Sequence, residues 1–366
     1  MHNQQQLMIK FISFIFLLVS LTTVAQQKHQ PENIFVITTD GFRWQEIFEG
    51  ADSALINNPK YTSDSLLTKL QYWDSDINER RKKLMPFFWN VLAKQGQLMG
   101  NRIYGNNVDV SNLYKFSYPG YNEILTGYSD PLIYSNKELV NKNTNILEYL
   151  NEYENYKGQV VAFSSWSVFP FILGQQRNDL PVFSGYETLP DTATNSTMKM
   201  LNSVQDKVVI EKKATRYDIL TFLSAKEYIK QHQPKVVFMS LGETDESAHG
   251  SHYDSYLQEA AQVDKMIADL WYFIQTNQTY KNNTTLLITT DHGRGYKNNQ
   301  WNKHSFLVKG SGEAWLAVIG PGIEPMGEIK VPQQLYQKQI ANSIAALLGI
   351  SFKTEHPVAQ GIKFNH

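Results

Sequence analysis

Six side chains of the sequence have the chemistry to hold metal ions: Asp40, Asp245, His249, Asp291, His292 and His304. Because the chain contains no cysteine, any transition-metal site must be built from imidazoles and carboxylates. Three aspartates and three histidines suffice for two zinc-like ions, each open to a further ligand. Each residue also has a simpler interpretation when taken alone. Asp40 before Gly41 is typical of a turn, Asp245 and His249 fit a solvated helix face, and an isolated His304 is usually a surface residue.

Short β-branched segments predict the strands that bring these residues together. Asp40, Asp245 and Asp291 each follow a near-continuous apolar run, which is typical of a strand buried on both faces of a parallel sheet. Because ligands of open α/β folds bind at the carboxyl ends of parallel strands, these side chains are expected to converge. The predicted strands are Asn33–Thr39, 159–163, 235–240, Thr284–Thr290 and 314–319.

Helical periodicity completes a strand–helix–strand unit. Apolar residues recur at helical spacing over 256–275, and further helices are predicted over 83–95 and 337–348. This alternation predicts a single α/β domain with a mainly parallel central sheet flanked by helices. The stretches 46–81 and 170–217 fit the alternation poorly, and we expect them to be cap insertions.

The N-terminal segment indicates export. An apolar run over 11–24 is followed by the small residues of Thr23-Val24-Ala25, which predicts a cleaved secretory signal over 1–25 and a mature domain over 26–366. A run of about 14 residues is too short to span a bilayer, so no membrane anchor is expected. We therefore expect a periplasmic or secreted protein.

The overall charge narrows the class of partner. Lys and Arg number 34 against 35 Asp and Glu, a formal charge of −1, so the chain lacks the basic field that nucleic-acid polymers require. No binding of such a polymer is expected, and the oligomeric state stays open.

The candidate nucleophile is Ser117, which precedes a Pro-stiffened turn and an apparent helix over 121–126. A hydroxyl at a helix start faces the same direction as backbone N–H groups that can contact an anion. The alternative is an ordinary helix cap, and the local sequence does not decide between the two.

These motifs, in this order, resemble those of the alkaline phosphatase superfamily, and in particular its nucleotide pyrophosphatase/phosphodiesterase-like branch. The resemblance rests on the six Asp and His residues, on Ser117 with the Leu125-Thr126-Gly127 ending, and on the final helix over 340–350. It implies that Asp40, Asp291 and His292 hold one zinc ion together with the Ser117 oxygen. It also implies that Asp245, His249 and His304 hold a second zinc ion, and that a phosphoserine forms at Ser117.

Two departures from the family pattern bear on activity. The related branch commonly has threonine as nucleophile, for which Ser117 is chemically equivalent. Sulfatases place arginine where this chain has Tyr121, so sulfuric ester hydrolysis is a less favoured alternative. The phosphate-binding asparagine of the diesterase branch is expected at Asn136, with Asn141 as second candidate.

The residues near the motifs leave the ester class open. A phosphomonoesterase, which is slightly favoured, needs positive charge, for which the candidates are Arg43, Lys115, Arg294, Lys303 and Lys309. A phosphodiesterase needs an apolar slot, for which the candidates are Phe42, Trp44, Tyr118, Trp166 and Phe169. The expected substrate is a phosphorylated small molecule or glycan. A non-catalytic protein that binds such a ligand is the alternative outside enzymes, and His252 is expected outside the ligand set.

Overall fold

The computed structural model describes residues 30–190 and 195–364. The predicted secretory signal over 1–25 lies outside them. The described strands are β1 Asn33–Thr39, β2 Gly96–Met99, β3 Asn106–Asp109, β4 Val160–Ser164, β5 Val182–Ser184, β6 Val236–Leu241, β7 Thr284–Thr290, β8 Glu313–Ala314, β9 Leu316–Ile319, β10 Gly327–Glu328 and β11 Gln333–Tyr336.

Within the described residues, eight of these strands form a central sheet in the order β10-β2-β9-β7-β1-β6-β4-β5. Strands β7, β1, β6, β4 and β5 are parallel to one another. The predicted mainly parallel sheet is therefore confirmed. The predicted strand over 314–319 differs: it divides at Trp315, and β9 runs antiparallel to β7. Strands β11, β3 and β8 form a second, smaller sheet.

Helices flank the sheet on both sides. They are α1 Trp44–Phe48, α2 Ser53–Ile56, α3 Ser65–Tyr72, α4 Ile77–Leu84, α5 Ala93–Gln95, α6 Ser117–Thr126, α7 Ile146–Glu152, α8 Phe169–Ile172, α9 Ser196–Lys207, α10 Asp218–His232, α11 Glu243–His249, α12 Tyr253–Thr276 and α13 Ile340–Leu347. Short 3₁₀ turns cover Arg102–Tyr104, Gln175–Arg177 and Gln337–Gln339. Across 30–190 and 195–364, no helix combines the length and the apolar character needed to cross a bilayer.

The sheet separates two apolar cores. On β1, Phe35 and Ile37 point into the core that includes α12, whereas Ile34 and Val36 point into the core that includes α6 and α13. Alternating side chains are thus buried on both faces, as expected for a parallel strand covered by helices. Burial on both faces explains why the strands read as continuous apolar runs in the sequence.

The predicted helix over 83–95 is interrupted. Helix α4 ends at Leu84, a π-helical turn covers Phe88–Leu92, and α5 follows. Pro86 has no N–H to donate, and the buried Asp264 carboxylate accepts hydrogen bonds from the N–H groups of Phe87 and Phe88, at 2.8 and 3.0 Å. Those N–H groups therefore bond to a side chain of α12 instead of continuing α4.

Four short helices account for the polar composition of the stretch around 46–81. The side chains of Asp52, Asp64 and Asp76 accept hydrogen bonds from the first N–H groups of α2, α3 and α4. Aspartate is a preferred N-cap, so residues that suggest a loop here begin helices. In the stretch 170–217, β5 joins the edge of the central sheet and Asn195 caps α9.

Candidate metal centre and nucleophile

Strand register brings the first group of predicted ligands together. Thr39, the last residue of β1, pairs with both Leu241 of β6 and Thr290 of β7. Asp40 and Asp291 therefore leave neighbouring strands at the same level, and His292 follows. Ligand atoms of Asp40, Asp291 and His292, the first Asp/His group, lie within 4.8 Å of one another.

Backbone contacts orient this first group. Asp291 Oδ1 accepts hydrogen bonds from the N–H groups of Gly41 and His292, at 2.9 and 2.8 Å. His292 Nδ1 lies 2.9 Å from the Gly293 carbonyl, which leaves Nε2 to face Asp40 Oδ1 at 3.4 Å. Asp291 Oδ2 is buried without a hydrogen-bond partner among the described residues, and His292 Nε2 lies 3.5 Å from it. A buried carboxylate oxygen that accepts no hydrogen bond is costly, and a bound cation would satisfy it.

The second Asp/His group comprises Asp245, His249 and His304. Asp245 and His249 are one turn apart on α11, with His249 Nε2 3.1 Å from Asp245 Oδ2. His304 Nε2 lies 3.1 Å from His249 Nε2 and 3.9 Å from Asp245 Oδ1. The i, i+4 spacing thus produces a shared helix face, and a distant loop adds the third side chain.

The two groups are adjacent. The imidazoles of His292 and His304 stack with centroids 4.0 Å apart and planes inclined by 13°. Ligand atoms of Asp245, His292 and His304 also lie within 4.8 Å of one another. His292 thus belongs to two sets of closely spaced ligand atoms, while His249 belongs to neither and joins the cluster through its contacts with Asp245 and His304.

Burial and charge shift the pKa values in this cluster. Burial, reinforced by Asp40, raises the pKa of Asp291 well above its usual value. Burial alone would lower the pKa of His292, but Asp291 and Asp40 outweigh it and raise the pKa to about 9. Burial lowers the pKa of His249 and of His304, so both are neutral at pH 7. Neutral imidazoles with closely spaced carboxylates are the donor set that zinc prefers, so these residues fit such ions.

Reciprocal caps fix the helix that carries Asp245 and His249. Asp218, at the start of α10, accepts hydrogen bonds from the N–H groups of Gly242 and Glu243, at 2.7 and 2.9 Å. Glu243, at the start of α11, accepts one from the Asp218 N–H at 2.7 Å. No sequence pattern indicates this pair, because the two residues are separated along the chain.

A buried arginine also holds the second group. The Arg294 guanidinium forms an ion pair with Asp245 and donates to the carbonyls of Gly41 and Asn302, at 3.0 and 2.9 Å. Burial lowers the pKa of Arg294 to about 9. Arg294 follows Asp291-His292-Gly293 directly, and this position was the only sequence signal for it.

Ser117 begins α6 and points into the cluster. Phe116 occupies the N-cap position, and no side chain of the described residues caps this helix. Ser117 Oγ instead donates to Asp40 Oδ1 at 3.3 Å and lies 3.4 Å from His292 Nε2. A Cβ at Gly120 would lie 2.4 Å from the Asp291 carbonyl oxygen, so glycine is what lets α6 approach β7. The simple helix-cap interpretation of Ser117 is therefore wrong.

Tyr121, four residues further along α6, forms a hydrogen bond to Asp40. Its hydroxyl donates to Asp40 Oδ2 at 3.3 Å and accepts from Ser240 Oγ at 3.0 Å. Its ring packs edge-on against Phe169, with centroids 4.7 Å apart. The residue that replaces the sulfatase arginine thus orients a predicted metal ligand.

The two asparagine candidates differ in environment. Asn136 Oδ1 accepts a hydrogen bond from the Tyr118 N–H at 3.0 Å, so its amide lies beside the residue that follows Ser117. Asn141 is buried, and its Nδ2 donates to Asn122 Oδ1 at 2.9 Å. Asn136 is thus the candidate with an exposed side chain next to the nucleophile.

The other predicted substrate-binding residues differ in how far they are buried. Phe42 is fully buried against Tyr256 and Trp315, so its side chain belongs to the core and does not line an open slot. Trp166 is half-buried beyond Phe169. The Lys115 side chain lies against Gly312, while its carbonyl contacts His304 Nδ1 at 2.9 Å.

The predicted cationic residues are either buried and paired or exposed. Arg43 is buried and paired with Glu46, and Arg294 is paired with Asp245, so neither guanidinium is free to contact a phosphate. Lys303 and Lys309 are exposed. His252 is exposed at the start of α12 and belongs to neither Asp/His group.

Comparison with solved structures identifies the fold. Wild-type alkaline phosphatase PafA matches with a TM-score of 0.58 and 12% identity, over 91% of this chain and 98% of that one. The lipoteichoic acid synthase LtaP from Listeria monocytogenes matches with a TM-score of 0.56 and 11% identity, over 93% and 78%. The phosphonate monoester hydrolase of Agrobacterium radiobacter matches with a TM-score of 0.55 and 12% identity, over 91% and 76%. The fold is therefore that of the alkaline phosphatase superfamily.

Comparison with family models assigns the branch. The model described as type I phosphodiesterase / nucleotide pyrophosphatase matches residues 61–354, most of the chain. The chain therefore belongs to the type I phosphodiesterase / nucleotide pyrophosphatase family, and it is a hydrolase of the phosphoester or sulfate-ester type. No curated protein matches the sequence.

Proposed function

We propose that this chain is an exported two-zinc phosphoester hydrolase that acts through Ser117. The observation that carries the proposal is the position of Ser117 Oγ, 3.3 Å from Asp40 Oδ1 and 3.4 Å from His292 Nε2. A serine at the start of a helix normally caps it, yet this hydroxyl is directed into the Asp/His cluster. The single domain over 26–366 and the signal over 1–25 are part of the proposal.

The two Asp/His groups divide the ligands. Asp40, Asp291 and His292, with Ser117 Oγ beside them, would hold one ion, and Asp245, His249 and His304 would hold the other. When bound, zinc would supply a Lewis acid that lowers the pKa of a hydroxyl and stabilises charge on phosphoryl oxygens. Ser117 Oγ would attack phosphorus while the ester oxygen leaves, and water would then hydrolyse the phosphoserine.

The arrangement of charged side chains favours a diester over a monoester. Two divalent ions, three carboxylates and the Arg294 guanidinium paired with Asp245 leave a net charge of about +2, which the ionised serine lowers to about +1. A dianionic monoester would need a further cation, but Arg43 and Arg294 are occupied by Glu46 and Asp245, which leaves lysine side chains, Lys115, Lys303 and Lys309, as the remaining predicted cations. A diester carries a single negative charge, so it requires less positive charge at the site. Membership of a phosphodiesterase family supports this choice over the monoesterase that the sequence slightly favoured.

Asn136 is the proposed phosphate contact. Because its Oδ1 already accepts from the Tyr118 N–H, its Nδ2 remains as the donor at the entrance to the site. An uncharged amide suits a monoanionic phosphodiester. Lys115 and Trp166 stay proposed contacts for the remainder of the substrate.

Comparison of three esters with one aryl leaving group tests the reaction. We expect kcat/KM for bis(p-nitrophenyl) phosphate to exceed that for p-nitrophenyl phosphate and for p-nitrophenyl sulfate by at least about tenfold, or ~1.4 kcal/mol. A dominant monoester rate would restore the phosphatase alternative, and a dominant sulfate rate would contradict phosphoester specificity.

A matched pair of variants tests the nucleophile. Ser117→Ala should lower kcat by roughly 10³-fold or more while zinc content stays at that of the parent protein. Ser129→Ala is the control, because the Ser129 hydroxyl has no hydrogen-bond partner among the described residues. Turnover by Ser117→Ala at the parent rate would overturn the assignment.

A further inference from the structure

A line of hydrogen bonds connects the nucleophile helix to His304. It begins at Glu123 of α6, which is fully buried. The Glu123 carboxylate accepts hydrogen bonds from the N–H groups of Ser111 and Asn112, at 2.7 and 2.8 Å, and from Asn112 Nδ2 at 3.1 Å. The segment that precedes the nucleophile is thereby attached to α6 at both the backbone and the side chain of Asn112.

Asn112 in turn shapes the turn that follows it. Its Oδ1 accepts hydrogen bonds from the N–H groups of Tyr114 and Lys115, at 3.1 and 2.8 Å. Lys115 has a φ of 57°, in the left-handed region that residues with a Cβ rarely adopt. Asparagine side chains commonly stabilise such turns by binding backbone N–H groups further along the chain. The two hydrogen bonds that Asn112 Oδ1 accepts hold Lys115 in this conformation.

The conformation of Lys115 determines where its carbonyl points. The Lys115 carbonyl oxygen lies 2.9 Å from His304 Nδ1. A carbonyl only accepts hydrogen bonds, so Nδ1 of the neutral imidazole must carry the proton. The lone pair then lies at Nε2, the atom that faces His249 and Asp245. This tautomer is the one that can bind a metal ion from inside the cluster.

The aromatic neighbours of His304 do not make this choice. His292 stacks on its ring at 4.0 Å, and Phe116 meets it edge-on at 6.0 Å. Both contacts fix the plane of the imidazole, but a half-turn about the Cβ–Cγ bond preserves that plane while it puts Cδ2 and Cε1 where Nδ1 and Nε2 were. The Lys115 carbonyl is a contact that distinguishes the two orientations.

We propose that Asn112 is a positioning residue that selects the ligating tautomer and orientation of His304 through the Lys115 carbonyl, with Glu123 as its anchor. Asn112 contacts neither Asp/His group itself. The role rests on the proposed function, because it presumes that His304 binds a metal ion. It extends that function by assigning a task to a segment outside the ligand set.

The experiment reads the His304 tautomer by ¹⁵N NMR on the metal-free full chain, so it requires no turnover. The parent protein should show the Nδ1–H tautomer. Asn112→Ala should produce the Nε2–H tautomer or a mixture, and should weaken binding of the second zinc ion by about 10- to 100-fold. Asn107→Ala is the control, because Asn107 makes an exposed contact to Gln334 and takes no part in the hydrogen bonds that link Glu123 to His304. It should change neither the tautomer nor the zinc affinity.

A conservative variant separates this role from loss of folding. The double variant Asn112→Asp/Glu123→Gln keeps an acceptor for the N–H groups of Tyr114 and Lys115 and avoids two buried carboxylates in contact, so it should retain the parent tautomer and zinc affinity. Parent tautomer and affinity in a folded Asn112→Ala variant would overturn the proposal, as would loss of the tautomer in the folded double variant. A tautomer shift in Asn112→Ala, with no hydrolysis by the parent protein, would contradict the proposed function and leave the positioning role standing.

Discussion

The guanidinium of Arg294 is fully buried and pairs with the carboxylate of Asp245, one of the six predicted metal ligands. Asp245 thus has a positive partner in the metal-free protein. His249 contacts its other oxygen at 3.1 Å. The Arg294 guanidinium therefore compensates the charge of Asp245 at one oxygen, and a bound metal ion would compensate it further.

Arg294→Met should destabilise the metal-free protein by about 3–5 kcal/mol, because it leaves Asp245 as an uncompensated buried charge. Saturating zinc should recover part of this loss, since a bound cation would compensate Asp245. Urea unfolding of metal-free and zinc-loaded protein measures both quantities. Arg43→Met is the control: it breaks the buried pair with Glu46, so its effect should be the same in both forms. An Arg294→Met loss that zinc does not reduce would count against Asp245 as a ligand.

Zinc binding should depend on pH differently at the two groups. The pKa of His292 is raised to about 9 and the pKa of Asp291 is raised as well, so this pair holds protons at neutral pH in the metal-free protein. Zinc must displace at least one proton from the pair, so affinity at the first group should rise by at least about tenfold per pH unit from pH 7 towards pH 9. The lowered pKa values of His249 and His304 leave both imidazoles neutral there, so affinity at the second group should stay nearly constant.

Calorimetric titration in two buffers of different ionisation enthalpy counts the protons released at each step. One step should release at least one proton from the Asp291–His292 pair, and the other should release none. Equal, pH-independent affinity for both ions between pH 7 and 9 would contradict the assignment of His292 to a separate group.

Tyr121→Phe should lower zinc affinity at the first group by about 10- to 100-fold, because it removes the hydroxyl that orients Asp40 Oδ2. The packing of the ring on Phe169 is kept, so the fold should persist. Tyr118→Phe is the matched control, because the Tyr118 hydroxyl donates to the carbonyls of Leu139 and Phe171 instead. If both variants bind zinc as the parent protein does, Tyr121 has no orienting role.

Expression of the full chain with its native N-terminus should yield a mature protein that begins at Gln26. The small residues of Thr23-Val24-Ala25 suit signal peptidase, which would remove residues 1–25. Intact-mass measurement of protein from the periplasm or the medium tests this. Recovery of chains that still begin with Met1 from those compartments would refute the cleavage.

The sequence by itself determined the order and the type of the candidate ligands. Asp40 and Asp291 directly follow β1 and β7, whose bounds match the predicted strands, so local apolar patterning sufficed to place them at one edge of the sheet. Asp245 and His249 share a helix face because their spacing is four. The sequence was less successful where a distant residue intervenes, as at α4, which Pro86 ends and Asp264 helps to interrupt.

Only the tertiary structure decided which groups remain available to a substrate. Arg43 and Arg294 looked like phosphate contacts in the sequence, but burial beside Glu46 and Asp245 occupies both. The fold also determined that Ser117 Oγ faces Asp40 and that the Lys115 carbonyl faces His304. These contacts join residues that are far apart along the chain. Their energies depend on burial and on relative orientation, and spacing along a sequence encodes neither.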